Sequence, residues 1–346
     1  MSRHFSLSSV LLRMGLGLVL VMGSGAFLSV DLGSGIQALP GLEETETKSS
    51  YDLGAAPALT LRLVGDRTLL KLAALAPQET QAVRLRAVHR VINPLTTEVS
   101  QTPSGLTVQA SVGVEAPGTL LGLHLQPSGL QHGLSGWATA RVPLTVETST
   151  TSGDQALNLQ GLRLRRLRAL SESGNLNLQL PEQAGESLRG YTGSGELTLR
   201  ALAGTRLPDA EMQTVSGDLS FQLERAWVRR LDLRTESGTL EGRLPRSEQT
   251  TLTTESGDVD LQVPPGASGT LDITTRSGQV RLRVPRQLPF RLRLSEEAGA
   301  RLTVPDGLVQ AGRLIRTPDA AAGSLDILVQ LGAGALEIEY TGEEND

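Results

Sequence analysis

The chain has 346 residues, with 37 acidic and 32 basic side chains, a formal net charge of −5 and no cysteine. This acidic balance argues against a nucleic-acid partner. The lack of cysteine excludes disulfides, thiolate metal sites and a lipid-modified cysteine. No cofactor-binding pattern occurs either, and we predict that the protein carries no cofactor.

An uncharged, largely apolar run covers residues 14–30 and follows directly on Arg13. It lies at the short limit for a membrane-spanning helix, and a cut after Ala26 would suit a cleaved signal peptide. We favour the anchor, a single hydrophobic helix within residues 1–30. Because positive charge precedes the run, the rest of the chain is expected outside the cytoplasm, in the cell envelope. Cleavage would instead give a secreted or periplasmic protein.

Three regions flank or separate the anchor and the repeat described below. Residues 31–55 are acidic and contain Gly, Pro and Ser, which predicts a linker. Residues 56–147 hold alternating segments such as LTLRLV and GLTVQASVGV, which fit irregular coils or a small β-sandwich. Residues 306–346 alternate again in LDILVQLGAGALEIEY but break the repeat, which predicts a C-terminal β cap and an acidic tail.

Residues 148–305 contain a repeat of about 21 residues, marked by glycines that recur at spacings of 19 to 22. Self-similarity at such a period indicates stacked structural units. A serine precedes each of the first seven glycines, and we predict that these pairs are structural turns. They are Ser152 and Gly153, Ser173 and Gly174, Ser194 and Gly195, Ser216 and Gly217, Ser237 and Gly238, Ser256 and Gly257, and Ser277 and Gly278.

Each unit is predicted to hold two strands that meet at the Ser-Gly corner. After the corner, apolar residues alternate with polar ones, as in Val259, Leu261 and Val263, which indicates a strand with one buried face. A second, shorter strand is expected before the corner, with a hydroxyl residue such as Thr254 in a repeated column. A proline such as Pro264 often closes the unit.

Two geometries fit this unit. In a β-solenoid, equivalent strands of successive coils pair in parallel; in a hairpin array, Ser-Gly forms a tight turn between antiparallel arms. We favour the solenoid because like residues recur in like columns, and because a hairpin would pair Glu255 with Asp258. We also expect Gly257 to adopt a conformation open mainly to glycine, so that valine there would cost about 1–3 kcal/mol.

The sequence predicts no catalytic residue and no metal ligand. Asp154, Asp218 and Asp258 follow their glycines and could stack as a calcium ladder, but other units carry different residues there, and turn chemistry explains them better. Glu236 and Glu255 offer a carboxylate pair for glycan hydrolysis. The favoured interpretation of this pair is an exposed turn column.

Two groups of arginines offer a site for an anionic partner. Most of them alternate with Leu or Val, so the solvated face of strands is the favoured interpretation. The sharper hypothesis is contact with anionic lipid headgroups or an acidic envelope polymer, which salt would weaken. The arginines are Arg163, Arg165, Arg166, Arg168, Arg281, Arg283, Arg291 and Arg293.

The repeated pattern T-x-S-G-[DN]-[VL]-x-[VL]-x-[VL] resembles the bacterial putative-adhesin family of β-strand-repeat domains, also described as toast-rack domains. The best copy runs from Thr254 to Leu261, and the resemblance covers about residues 141–304. It implies a right-handed, single-chain β-solenoid in the bacterial envelope, and it implies no activity.

These observations predict an all-β protein, a right-handed β-solenoid of about 21-residue repeats behind one N-terminal hydrophobic helix. The expected function is a non-catalytic, membrane-anchored interaction or adhesion module. Besides the membrane, its expected partners are another envelope protein, a polymer or further copies of the chain. A regulatory module of an envelope-stress system is the alternative, and a glycan-active enzyme is the weaker one.

Overall fold

The computed structural model describes residues 43–113, 119–120, 123–124, 132–295, 301–321 and 324–341. The fold below is that of the unit Glu44–Asp346. The predicted helix within residues 1–30 lies outside the described residues. In the described part, every regular element is a β-strand, and none of it forms a helix long and apolar enough to cross a membrane.

The described residues form 27 strands, numbered here in chain order. Those before the repeat are β1 (Glu44–Asp52), β2 (Leu59–Gly65), β3 (Thr68–Ala74), β4 (Gln81–Arg90), β5 (Leu95–Thr102), β6 (Gly105–Val112), β7 (Thr119–Leu120), β8 (Leu123–His124) and β9 (His132–Ala138). Those of the repeat are β10 (Leu144–Ser152), β11 (Gln155–Asn158), β12 (Leu164–Ser173), β13 (Leu176–Gln179), β14 (Ala184–Ser194), β15 (Leu197–Arg200), β16 (Arg206–Ser216), β17 (Leu219–Gln222), β18 (Trp227–Ser237), β19 (Leu240–Arg243), β20 (Arg246–Ser256), β21 (Val259–Gln262) and β22 (Thr270–Pro285). The last are β23 (Phe290–Leu294), β24 (Arg301–Thr303), β25 (Val309–Ala311), β26 (Leu314–Arg316) and β27 (Leu325–Thr341).

Successive coils of the repeat pair in parallel along two ladders. In the ladder of strands that precede the corner, Ser216 of β16 lies opposite Ser237 of β18. In the ladder of strands that follow the corner, Leu219 of β17 lies opposite Leu240 of β19. Each strand therefore pairs with its equivalent one repeat later, which is the arrangement of stacked coils and excludes the antiparallel hairpin array. The right-handed sense stays a prediction.

The strand before each corner is the longer one, so the prediction of a shorter strand there was wrong. β18 has 11 residues and β19 has 4. Two adjacent exposed arginines, Arg229 and Arg230, interrupt the alternation near the start of β18. A period-2 pattern therefore cannot reveal the first residues of this strand, and the predicted strand was too short.

The N-terminal half extends both ladders. β2 and β3 pair in parallel with β10 and β11, and β6 and β9 pair in parallel with the far edges of β2 and β3. Residues 56–147 thus contribute irregular coils to the same sheet. β1 lies within the segment expected to be a linker and pairs antiparallel with β4. Its sequence ETETKSSYD has little apolar character, so hydropathy alone could not detect it.

The C-terminal strand β27 lies inside the stack and not at its end. It pairs in parallel with β22 along its whole length, so that Ile273 faces Val329 and Leu282 faces Ile338. β23 and β24, which come earlier in the chain, cover its other edge. The β structure expected as a cap in residues 306–346 is therefore itself covered.

The inward-facing residues of both ladders form one continuous apolar cluster. Full burial of each such Leu, Val or Ile contributes about 1.5–3 kcal/mol. One inward-facing column contains a residue without a side chain, because Gly242 lies where the neighbouring coils have Phe221 and Leu261. A Cβ on Gly242 would overlap the ring of Phe221, so the large side chain of one coil fills the space that the next leaves open.

The Ser-Gly corner is held by contacts between coils. The Oγ1 atom of Thr235, which is buried, donates to the carbonyl oxygen of Gly217 in the preceding coil at 3.2 Å. A Cβ on Gly257 would overlap the carbonyl oxygen of Gly238. The φ angle of Gly257 lies outside the left-handed region, unlike the φ of 121° at Gly153. At Gly257, close approach of the stacked backbones therefore requires glycine, and the predicted special conformation was wrong.

A buried polar cluster lies in the N-terminal coils. His89, Asn93 and His132 are at most 4% exposed, and Nδ2 of Asn93 donates to Nε2 of His132 at 3.3 Å. Burial lowers the pKa of His132, and the charges of His89 and Arg90 lower it further, against the opposite effect of Asp66. The fold therefore favours the neutral imidazole of His132.

Replacement of Gly257 by alanine is expected to lower the free energy of unfolding by about 1–3 kcal/mol, because the added methyl must push two stacked backbones apart. Denaturant unfolding of the full chain, followed by circular dichroism, measures the change. Gly113→Ala is the matched control, since no atom of the residues that the structure describes lies within 4 Å of its added Cβ. It shares the effect of alanine on the unfolded chain. Equal midpoints for the two variants would contradict the stacking account.

Stability is expected to fall as the pH drops through about 6.5, the ordinary pKa of histidine. Below that pH the unfolded chain binds a proton that folded His132 resists, so the free energy of unfolding decreases until the lowered folded pKa is passed. Urea midpoints between pH 8 and pH 5 measure this for the wild type and for His132→Gln. The variant should have the flatter profile; identical slopes would contradict the assignment to His132.

Candidate functional site

An Asp or Asn that follows a corner glycine binds the backbone of the next coil. Oδ1 of Asp218 accepts the backbone N–H of Thr239 at 2.8 Å, and Oδ1 of Asp258 accepts that of Gln279 at 2.8 Å. Asp154 has the same role, since its Oδ1 accepts the backbone N–H of Asn175 in the next coil at 2.8 Å. No group of three or more His, Asp or Glu side chains that could hold a metal occurs in the part of the chain that the structure describes. These aspartates are explained by backbone contacts.

The carboxylate pair Glu236 and Glu255 lies on adjacent coils at the exposed corner. The Glu255 carboxylate is 61% exposed, and Oε2 is 3.9 Å from Nη1 of Arg276. Glycoside hydrolysis needs two carboxyl groups that flank a bound sugar within a cleft. A solvated pair beside an arginine matches the turn-column interpretation.

The arginines Arg281 and Arg283 lie on the outward face of β22 within an ion-pair network. Nε of Arg281 is 3.0 Å from Oε2 of Glu337, and this hydrogen bond raises the pKa of the guanidinium. Nη2 of Arg283 is 2.8 Å from Oδ2 of Asp260, and its Nε is 3.5 Å from Oε2 of Glu339. Acidic neighbours on both adjacent coils therefore offset these two charges.

The N-terminal group of arginines is also largely paired. Arg165 and Arg166 contact the two carboxylate oxygens of Glu186 at 2.5 and 2.6 Å. The hydrogen bond from Arg165 lowers the pKa of Glu186 most, and the one from Arg166 lowers it further. Arg163 donates to a backbone carbonyl at 3.1 Å. Arg168 is exposed and forms no ion pair with any described residue.

The structure does not bring the two predicted arginine groups together. Arg291 of β23 pairs with Asp326 at 3.0 Å, and Arg293 has no ion pair within the described ranges. Between β12, which carries Arg165, Arg166 and Arg168, and β22, which carries Arg281 and Arg283, lie β14, β16, β18 and β20. The arginines are thus separate outward positions and not one basic surface.

A groove that the sequence analysis did not identify lies where the chain turns from a short strand to the next long strand. We call it the Trp groove; it is lined by residues 204–206, 224–227 and Arg246 and has a volume of about 580 Å³. Trp227 is 39% exposed there. Arg206, Trp227 and Arg246 begin β16, β18 and β20 and lie in register. Each stands eleven residues before its corner glycine, and that shared offset is the signal that could have revealed them.

Turn length explains why a recess forms at this place. The turn after β19 contains only Leu244 and Pro245, whereas the turns before and after it span residues 223–226 and 263–269. A short turn between longer ones leaves a depression at the side of the stack. The shortest glycine spacing of the repeat, 19 residues, marks the same place in the sequence.

The Trp groove carries an excess of positive charge. Arg206 and Arg225 have neither an ion pair nor a side-chain hydrogen bond with any described residue. Arg246 donates from Nη2 to the carbonyl oxygen of Pro265 at 3.3 Å. The single carboxylate of the lining, Glu224, lies 3.4 Å from Arg243. An aromatic surface beside unpaired guanidinium groups can bind a ligand that has a flat face and negative charge.

The repeat matches a known protein family. Residues 144–300 match the model of the family Toastrack DUF4097. A putative cell adhesion protein from Clostridium sporogenes has 11% identity and a TM-score of 0.32, with 86% of this chain and 100% of that chain covered. A putative adhesin from Bacteroides fragilis has 9% identity and a TM-score of 0.34, with 86% and 98% covered.

A putative adhesin from Parabacteroides merdae has 10% identity and a TM-score of 0.29, with 86% and 96% covered. No curated protein matches the chain. The family model begins at the first residue of β10 and covers all the Ser-Gly corners of the repeat. The resemblance predicted from the T-x-S-G pattern is confirmed: residues 144–300 match the toast-rack DUF4097 family.

Proposed function

We propose that this chain is a non-catalytic binding module of the adhesion type, held outside the cytoplasm by an N-terminal membrane anchor. The observation that carries the proposal is the division of roles within each coil. The repeated residues of the corner bind neighbouring coils, as Thr235 binds Gly217 and Asp218 binds Thr239. Their repetition is explained by structure and requires no shared chemistry.

The residues that vary between coils face outward. One outward column contains Arg168 and Arg189 in two successive coils and Glu211 and Asp232 in the next two, so its charge reverses while the backbone register stays the same. Because the ladders set the position of each outward side chain, the surface can change without loss of the fold. Such a surface suits recognition of a partner better than catalysis, which needs a few groups that converge in an enclosed site.

The membrane part of the proposal is supported by the sequence. The apolar run of residues 14–30 follows positive charge, and the topology rule then directs the remaining chain away from the cytoplasm. The resemblance to bacterial putative-adhesin domains favours the same compartment.

Cells that display the full chain are expected to attach to immobilised envelope polymer several-fold better than cells without it. Arg168 and Arg230 are exposed outward arginines that have no ion pair with any described residue. Charge reversal at both, Arg168→Glu with Arg230→Glu, should reduce attachment and leave the melting temperature unchanged. Arg168→Lys with Arg230→Lys keeps both charges and is the matched control. Equal attachment of cells with and without the chain would contradict the binding function.

Fractionation of cells that express a C-terminally tagged chain tests the anchor, together with N-terminal sequencing of the product. We expect a membrane-bound protein that begins near Met1 and whose tag is open to external protease. A soluble product that begins near Phe27 would show that the segment is a cleaved signal peptide. In that case the anchor is wrong, whereas the binding module remains.

A further inference from the structure

We infer that the Trp groove binds an acidic polysaccharide, with one sugar ring stacked on Trp227 and its carboxylates paired with Arg206 and Arg225. This inference rests on the proposed binding function and names the chemistry of one partner. It concerns a different surface from the outward columns, so the two proposals can fail separately.

Trp227 is exposed without a structural reason in the coil. Its backbone N–H donates to the carbonyl of Thr205 at 2.8 Å, so the backbone is fixed while 39% of the residue remains accessible to water. Among the described residues, guanidinium groups stack only on Trp137 and Tyr340. Arg206 and Arg246 therefore flank the indole along the ladder without covering its ring. An uncovered aromatic face in a groove is typical of a binding surface.

The unpaired charges point to a carboxylated ligand. Elsewhere in the described repeat, many arginines have an acidic partner one coil away, as Arg229 has Asp209 at 2.9 Å. Arg206 has Gln183 and Trp227 in that position, and neither can neutralise it. Guanidinium groups bind carboxylates in a planar, bidentate geometry. The groove therefore presents cations that are free to pair with an incoming anion.

A sugar polymer accounts for both the aromatic face and the charges. Pyranose rings have apolar C–H faces that pack on an aromatic ring, and a uronic acid adds one carboxylate to each ring. The lining comes from three successive coils, so an extended chain can lie across them. The volume of about 580 Å³ falls within the usual range of ligand sites. A concave groove does not suit insertion into a lipid surface, and the net charge of −5 disfavours nucleic acid.

Calorimetric titration of the detergent-solubilised full chain with a hexamer of galacturonic acid tests the inference. We expect Trp227→Ala to weaken binding about tenfold, Trp227→Phe to weaken it less, and Arg206→Gln with Arg225→Gln to weaken it and to reduce its salt dependence. The fully methyl-esterified hexamer, which is neutral, should bind more weakly than the acid. Melting temperatures recorded in parallel show that each variant is folded.

Arg301→Gln with Arg316→Gln is the matched control, because it removes two exposed guanidinium groups that lie outside the groove and form no ion pair with any described residue. It should bind like the wild type. The inference is overturned if the control loses as much affinity as the groove variants or if Trp227→Ala binds as well as the wild type. It is also overturned if the neutral ester binds as well as the acid. So would a lack of binding at millimolar concentration by galacturonate, mannuronate and glucuronate hexamers.

Poly-glutamate and anionic lipid vesicles separate other sources of negative charge. If one of these binds in a way that depends on Trp227 and no uronate hexamer binds, the polysaccharide inference is wrong. The ligand is then an acidic peptide or a membrane. If cells still attach while all uronate hexamers fail to bind, the groove inference is wrong and the proposed function stands. If the hexamers bind while cell attachment does not depend on the chain, the groove binds the polysaccharide and the proposed adhesion function is wrong.

Discussion

The stack depends on the close approach of successive corner glycines, in which the carbonyl oxygen of one glycine lies against the glycine of the next coil. The oxygen of Gly217 accepts a hydrogen bond from Thr235 and lies where a Cβ on Gly238 would be. One atom therefore selects two residue types in the next coil, a hydroxyl residue for the bond and a glycine for the space. A side chain larger than hydrogen would separate the coils, and separation would break the bond as well. The close approach explains the glycine of each corner from Gly174 onward, and the hydrogen bond explains the threonine at Thr192, Thr214 and Thr235.

The fold could be predicted as far as local patterns reach. Alternation gave the buried faces, and equal columns gave the parallel stack, because both depend only on residues one or two positions or one repeat apart. The order of strands at the two ends could not be predicted in this way. β27 lies between β22 and β23, and β2 lies between β6 and β10, so chain order and stack order differ. These insertions depend on pairings between distant segments, which no local pattern contains.

The role of the charged residues was harder to predict than the fold, because a high density of arginines along the chain does not show which of them form ion pairs. Arg165 and Arg166 form a dense basic segment in the sequence, but both of them pair with Glu186 of the next coil. Comparison of columns one repeat apart would have revealed such partners. The same comparison shows that Arg206 has no acidic neighbour in its column. In a stack of coils, a cation matters for recognition when both adjacent coils leave it unpaired.

The turns that lead from a short strand to the next long strand are where such a protein can acquire a site. Inward columns must stay apolar, and the corner must keep its glycine, since a change in either is transmitted to two neighbouring coils. The turns have no such requirement, and their lengths vary from two residues after β19 to seven after β21. A difference in length between adjacent turns creates a recess, and the first residues of the long strands then become its lining. Trp227 and Arg206 occupy those positions, so a change of two or three residues in turn length is enough to produce a groove without disturbing the core.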